Sequence, residues 1–128
     1  MKAGAKLALA MLAGASIGVL GSRSIHAQQP KTPPGYFIAE VEVTDPATMQ
    51  QYGQKVPETL APFNHRYLVL GGNPAALEGA PAKSIVVIAF DSVEQARAWY
   101  DSPAYQAIKS IRQSAAKARI LVVEGIAP

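Results

Sequence analysis

The sequence predicts an α+β domain whose elements run β-α-β-β-α-β, an antiparallel sheet with its helices on one face. Three observations carry this. Four short runs are alternating or wholly apolar, as strands are. Two longer stretches place apolar residues at helical spacing. Proline, glycine, serine and aspartate fall between these segments, where caps and turns are needed.

Gly35 to Thr44 alternates, with Phe37, Ala39, Val41 and Val43 on one face and Tyr36, Ile38, Glu40 and Glu42 on the other. This is the first strand. Thr44-Asp45-Pro46 reads as a helix start, a capping side chain followed by proline in the first turn. Met49, Tyr52, Val56 and Leu60 then form one apolar stripe. Pro57 is expected to kink or split this helix, because its ring opposes the carbonyl of Gly53. His65 to Leu70 is the second strand, closed by the turn Gly71-Gly72-Asn73-Pro74, with Ala75 to Gly79 a candidate hairpin extension. Lys83 to Phe90 is the third strand. Asp91 or Ser92 caps the next helix, which turns Val93, Ala96 and Tyr100 inward. Ser102-Pro103 interrupts that helix, and Ala104, Ile108, Ile111 and Ala115 form the stripe of its second segment. Ala118 to Glu124 is the last strand.

This order is the ferredoxin-like arrangement, with strand order 4-1-3-2. Strand three is apolar on both faces, Val86, Ile88 and Phe90 against Ile85, Val87 and Ala89, and strand four repeats this with Ile120 and Val122 against Leu121 and Val123. Helices cover one face of such a sheet. The other must also be hidden, most simply by a second copy of the chain. A homodimer whose open sheet faces meet around a cavity is the expectation.

The first residues follow a different logic. Lys2 and Lys6 precede an uncharged apolar run from Leu7 to Leu20, and a polar stretch then ends at Ala27. That is the pattern of a signal peptide over residues 1–27. The run is short for a membrane span, which needs about 20 residues. A periplasmic or secreted protein is therefore expected, with membrane attachment only if the leader is retained. Residues 28–34 read as a proline-rich linker, and 35–126 as the folded domain. Lys2, Lys6 and Arg23 belong to the leader, and the rest holds nine basic and nine acidic residues. The basicity of the whole chain is thus no argument for nucleic-acid binding, which needs a positive surface. The chain has no cysteine, so its core is held without disulfides.

The segments Gly35-Tyr36-Phe37-Ile38-Ala39, Val43-Thr44-Asp45-Pro46, Leu77-Glu78-Gly79 and Val86-Val87-Ile88-Ala89-Phe90 carry a family resemblance. So does the more specific run Trp99-Tyr100-Asp101-Ser102-Pro103-Ala104-Tyr105-Gln106, with Arg112 and Val123-Glu124-Gly125 beyond it. From Gly35 to Ile126 the chain resembles the bacterial family known as domain of unknown function 1330 (DUF1330). The resemblance implies the dimeric α/β-barrel superfamily and implies no activity. Two departures stand out. The family often has an acid where this chain has Ala89, and commonly Gly-Gly where it has Asn64-His65, so His65 is peculiar to this sequence.

Outside the leader His65 is the only histidine, too few for a zinc site of His and Cys. A Ser-His-Asp triad through His65 lacks a nucleophile motif nearby. Haem bound by His65 follows only from superfamily analogy, so no metal and no cofactor is expected. The candidate ligand residues are Tyr36, Glu40, Arg66, Trp99 and Arg112. Glu40, Tyr36 and Arg66 are expected on the open face, with Arg66 beside Leu68 and Leu70 if the second strand follows a simple pleat. They read as a polar ligand patch or as interface salt bridges. Trp99 reads chiefly as a packing anchor, and Arg112 as the partner of an acid such as Glu124 or Asp101. Three functions follow. They are a small-molecule binder with its ligand between sheet and helices, a cofactor-free oxygenase or isomerase using Glu40 as base and Arg66 to stabilise an enolate, and a structural dimer module.

Overall fold

Strand β1, Gly35–Val43, lies at the centre of the sheet because its two faces suit two environments. Phe37, Ala39 and Val41 are buried, while Glu40 and Glu42 are exposed on the reverse. The structure is a computed structural model and describes residues 31–128; the predicted leader and residues 28–30 of the linker lie outside the described residues. Helix α1 follows at Pro46–Leu60, then β2 at His65–Gly71, β3 at Ser84–Phe90, α2 at Val93–Asp101, α3 at Pro103–Ala115 and β4 at Ala116–Glu124. The strands pair antiparallel in the order β2-β3-β1-β4, which is the expected ferredoxin-like order read from the other edge.

Side-chain chemistry sets the helix ends. The Asp45 carboxylate accepts from the Thr48 amide and hydroxyl at the start of α1, and these bonds hold its pKa below the ordinary value. Ser92 caps α2 through the Gln95 amide. Ser102 serves two helices. It accepts from the Tyr105 amide to start α3 and donates to the Trp99 carbonyl at the end of α2.

Several expectations need correction. Pro57 does not split α1, which runs unbroken to Leu60. It stands in the last turn, so it removes one bond, to the Gly53 carbonyl, and only Glu58, Thr59 and Leu60 follow it in the helix. Residues 75–79 form no strand; the segment between β2 and β3 is loop, entered through Gly71 and Gly72, both at positive φ. Trp99, at 1% exposure, joins Ala96 on the buried face of α2, whereas Tyr100 is only half-buried. The α3 stripe is Tyr105, Ile108, Arg112 and Ala115, and Ala104 is exposed.

The largest correction concerns β2. Its pairing with β3 shifts between Tyr67 and Val69, leaving Leu68 as an extra residue in the ladder. Such a bulge changes which face later side chains take. Arg66 pairs with Ala89 and Val69 with Val87, both on the open side, whereas Leu70 pairs with Val86 on the helix side. Arg66 and Leu70 therefore lie on opposite faces. The core gathers between helices and sheet around Phe37, Leu60, Ile88, Phe90, Trp99 and Tyr105.

Candidate functional site

Helix α1 packs mainly on α3 and stands off from β2 and β3. The gap between them is a cavity of about 400 Å³, within the range of small-molecule sites. Its sheet wall includes Phe37, Ala39 and Ile88, and its helix wall Met49, Tyr52 and Val56. A Cβ placed on Gly53, at its edge, would meet no atom within 4 Å. Pro57 lines the same wall and has no N–H, so the Gly53 carbonyl lacks the usual helical partner there.

The deep end differs in chemistry. Trp99 stacks on Phe90 at 5.6 Å and meets Tyr105 at 4.5 Å between ring centroids. Its indole N–H donates to Thr59 Oγ1 at 3.0 Å, and that hydroxyl donates to the Val56 carbonyl. The Tyr52 and Tyr105 hydroxyls are 2.9 Å apart. Arg112 Nε donates to Tyr105 Oη at 3.3 Å. Arg112 is only 6% exposed and lines the cavity with Tyr52 and Trp99. Burial opposes its charge, but the Tyr105, Tyr52 and Tyr100 hydroxyls outweigh this and hold its pKa above the ordinary value. Burial and the adjacent Tyr105 push the Tyr52 hydroxyl well up, so it keeps its proton. Tyr67, on the sheet wall, is also raised by burial.

The expected acid partner of Arg112 is not Glu124 or Asp101: among the described residues the one ion pair is Lys83–Glu42, at 3.3 Å on the surface. The five sequence-predicted residues divide into two groups. Trp99 and Arg112 line the cavity. Tyr36, Glu40 and Arg66 occupy the opposite, open face of the sheet. Tyr36 and Arg66 share one cross-strand row through Ala89. Glu40 sits four positions along β1, opposite Arg119 and Ile85. That separates it from Arg66 by about 14 Å along the sheet and about 10 Å across it. A base at Glu40 and an enolate-stabilising Arg66 are therefore not joined in one site of the chain.

His65 does not line the cavity. Its Nδ1–H donates to the Phe63 carbonyl at 2.8 Å, and it borders a shallow polar recess with Asn64, Arg66 and Asp91. Sequence reasoning placed Tyr52 in a packing stripe and did not single out Thr59, because a tyrosine or threonine at helical spacing looks the same whether it packs or presents a hydroxyl. The signal available was Tyr52, Tyr105 and Arg112 together on inward helix faces.

The family described as Domain of unknown function (DUF1330) matches residues 34–126. The comparison with curated proteins returned no match. Among solved structures, the chain is similar to a protein of unknown function from Rhodopseudomonas palustris, at 16% identity and TM-score 0.61, covering 82% of this chain and 94% of that one. It is similar to a dimeric ferredoxin-like protein of unknown function from Thermobifida fusca, at 18% identity and TM-score 0.52, covering 76% and 95%. It is also similar to a cofactor-independent oxygenase from Streptomyces nogalater, at 9% identity and TM-score 0.54, covering 76% and 97%. These likenesses concern the fold.

Proposed function

The chain belongs to the DUF1330 family, and from that premise we propose that it is an exported, dimeric small-molecule binder that holds one ligand per subunit between sheet and helices. The observation that carries the reading is the cavity of about 400 Å³, walled by apolar side chains and ending in the Tyr52 and Arg112 polar groups. An apolar enclosure with a few placed polar groups is the usual form of a small-molecule site. Export rests on the leader pattern of residues 1–27. Dimerisation is supported by the exposed apolar residues of the open sheet face and by the dimeric neighbour from T. fusca.

Trp99 is the only tryptophan in the chain and lines the cavity, so its fluorescence reports occupancy. The neutral probe N-phenyl-1-naphthylamine should bind saturably, once per subunit, and quench it. Gly53→Phe should fill the edge of the cavity and remove that binding. The fold should survive, because replacing a mid-helix glycine removes an entropic cost of about 0.5–1 kcal/mol. No saturable binding to the wild type, or equal binding to Gly53→Phe, would end the reading. Native mass spectrometry of freshly purified protein then identifies any co-purifying molecule.

A cofactor-free oxygenase or isomerase is the second reading, favoured by the fold shared with the S. nogalater oxygenase. In this chain it rests on the cavity, where Arg112 and the tyrosines Tyr52 and Tyr67 bring polar groups to the lining. No His, Asp or Glu is among the lining residues, so a carbon acid bound there has no strong base beside it. Binding is the reading the geometry supports best.

A further inference from the structure

We propose that the cavity is built for a monocarboxylate with an apolar body, its carboxylate held by Arg112 and Tyr52; this rests on the cavity being a ligand site and names the class of ligand.

The argument starts from Arg112. A guanidinium closed off from bulk water is expensive unless its charge is met. Arg112 is 6% exposed, and arginine offers five N–H donors. The bond it makes among the described residues is from Nε to Tyr105 Oη, and no carboxylate lies within ion-pair distance. Among the described residues no enclosed side-chain nitrogen is left without a partner. The two Nη groups therefore retain access to some open space, and the cavity is the space that Arg112 lines.

The tyrosines fix the direction of the remaining donor. Tyr105 is fully buried. Its oxygen accepts from Arg112 Nε–H, which can only donate, and its other partner is Tyr52 Oη. A buried hydroxyl hydrogen needs an acceptor. Tyr105 therefore donates to Tyr52. The Tyr52 hydrogen is then not used by that bond, and Tyr52 lines the cavity.

The deep end thus offers the Nη groups and one phenolic O–H, all donors, with a full positive charge and no acid beside it. A carboxylate matches this set, since it accepts only and pairs with guanidinium through two oxygens. A cation is repelled, and a neutral amide leaves the charge unmet. Apart from the Tyr67 hydroxyl on the sheet wall, and with the Trp99 N–H already bonded to Thr59, the rest of the lining is apolar, so the body of the ligand is mainly hydrocarbon or aromatic. With about 30 Å³ per water in the liquid, the volume suits roughly a dozen non-hydrogen atoms.

The experiment titrates the purified protein with octanoate and 1-naphthoate, each against its primary amide, following Trp99 quenching and displacement of N-phenyl-1-naphthylamine. Each acid should bind at least about tenfold more tightly than its amide, the margin expected of a charged hydrogen bond. Arg112→Gln should erase the preference, and Arg112→Lys should restore part of it, because lysine keeps the charge without the planar fork. Acid and amide binding equally to the wild type would overturn the proposal while leaving the cavity reading intact. The probe binding while neither acid displaces it would do the same. Binding of neither probe nor acid would overturn both. The wild-type comparison decides the question even if Arg112→Gln fails to fold.

Discussion

Tyr52 holds its hydroxyl on the inner face of α1, bonded to Tyr105 and close to Arg112. Burial, with Tyr105 second, raises its pKa above the ordinary value near 10. In the unfolded chain Tyr52 ionises through its ordinary range, whereas in the folded chain it stays protonated. Above about pH 10 the unfolded state therefore binds fewer protons, and stability falls as pH rises. Below that range both states are protonated and the group contributes no pH dependence. Urea unfolding of the wild type should lose stability between pH 9 and pH 11. Tyr52→Phe should lose about 1 kcal/mol less over that interval. Identical slopes for the two proteins would show that the hydroxyl is not shielded as described. Arg112 illustrates how far a single residue was legible. Its type and position drew attention in the sequence, but its partner was expected to be an acid, because a buried arginine normally has one. Helical spacing shows that a residue faces inward. It does not show what waits there.

Between residues and fold, the decisive features are junctions. Ser102 ends α2 and begins α3 with one side chain, and it stands between Trp99 and Tyr105, which meet at 4.5 Å. Ser102→Ala should cost about 1 kcal/mol as a lost cap and weaken ligand binding through looser placement of Trp99 and Tyr105. Denaturant unfolding reads the first effect and Trp99 titration the second. A stable variant with unchanged binding would mean that packing alone sets the junction. This break was legible, because serine before proline is a local signal with a local cause. The bulge at Leu68 was not. His65 to Leu70 is a continuous run with no glycine to mark the irregularity, and its register is set by β3 rather than by its own residues. The consequence reached the site: a simple pleat put Leu70 with Arg66, whereas the bulge sends Leu70 to the cavity and leaves Arg66 outside. Pro57 was misjudged for a related reason. The rule is about helix interiors, and the end of α1 depends on where the chain must leave for β2.

For the molecule as a whole, the open sheet face is the unsettled surface. Leu121 and Val123 are 37% and 43% exposed, and Val69 is 37% exposed beside Val87. In register Val69, Val87, Ile38 and Leu121 form one apolar row across four strands, and Ala89, Tyr36 and Val123 form a second that ends on β2 at Arg66. At one end the face turns polar, with Glu40 opposite Arg119 and Glu42 opposite Lys117. Both signs of charge on one face suit self-association, because a second copy related by a two-fold axis can present each sign to its opposite. A foreign partner has no such symmetry to meet. The pattern also explains why Tyr36, Glu40 and Arg66 drew notice as a ligand patch: polar residues on an apolar sheet look alike at an interface and at a binding site. Sedimentation equilibrium at micromolar concentration should give a dimer for the wild type. Val87→Glu with Leu121→Glu places like charges in the middle of the apolar rows and should give a folded monomer, because neither side chain lines the cavity. That monomer should still quench Trp99 with N-phenyl-1-naphthylamine if each cavity is complete within one subunit. A monomeric wild type would overturn the dimer. A monomeric variant that folds and no longer binds would show instead that the second copy helps to hold the cavity in shape.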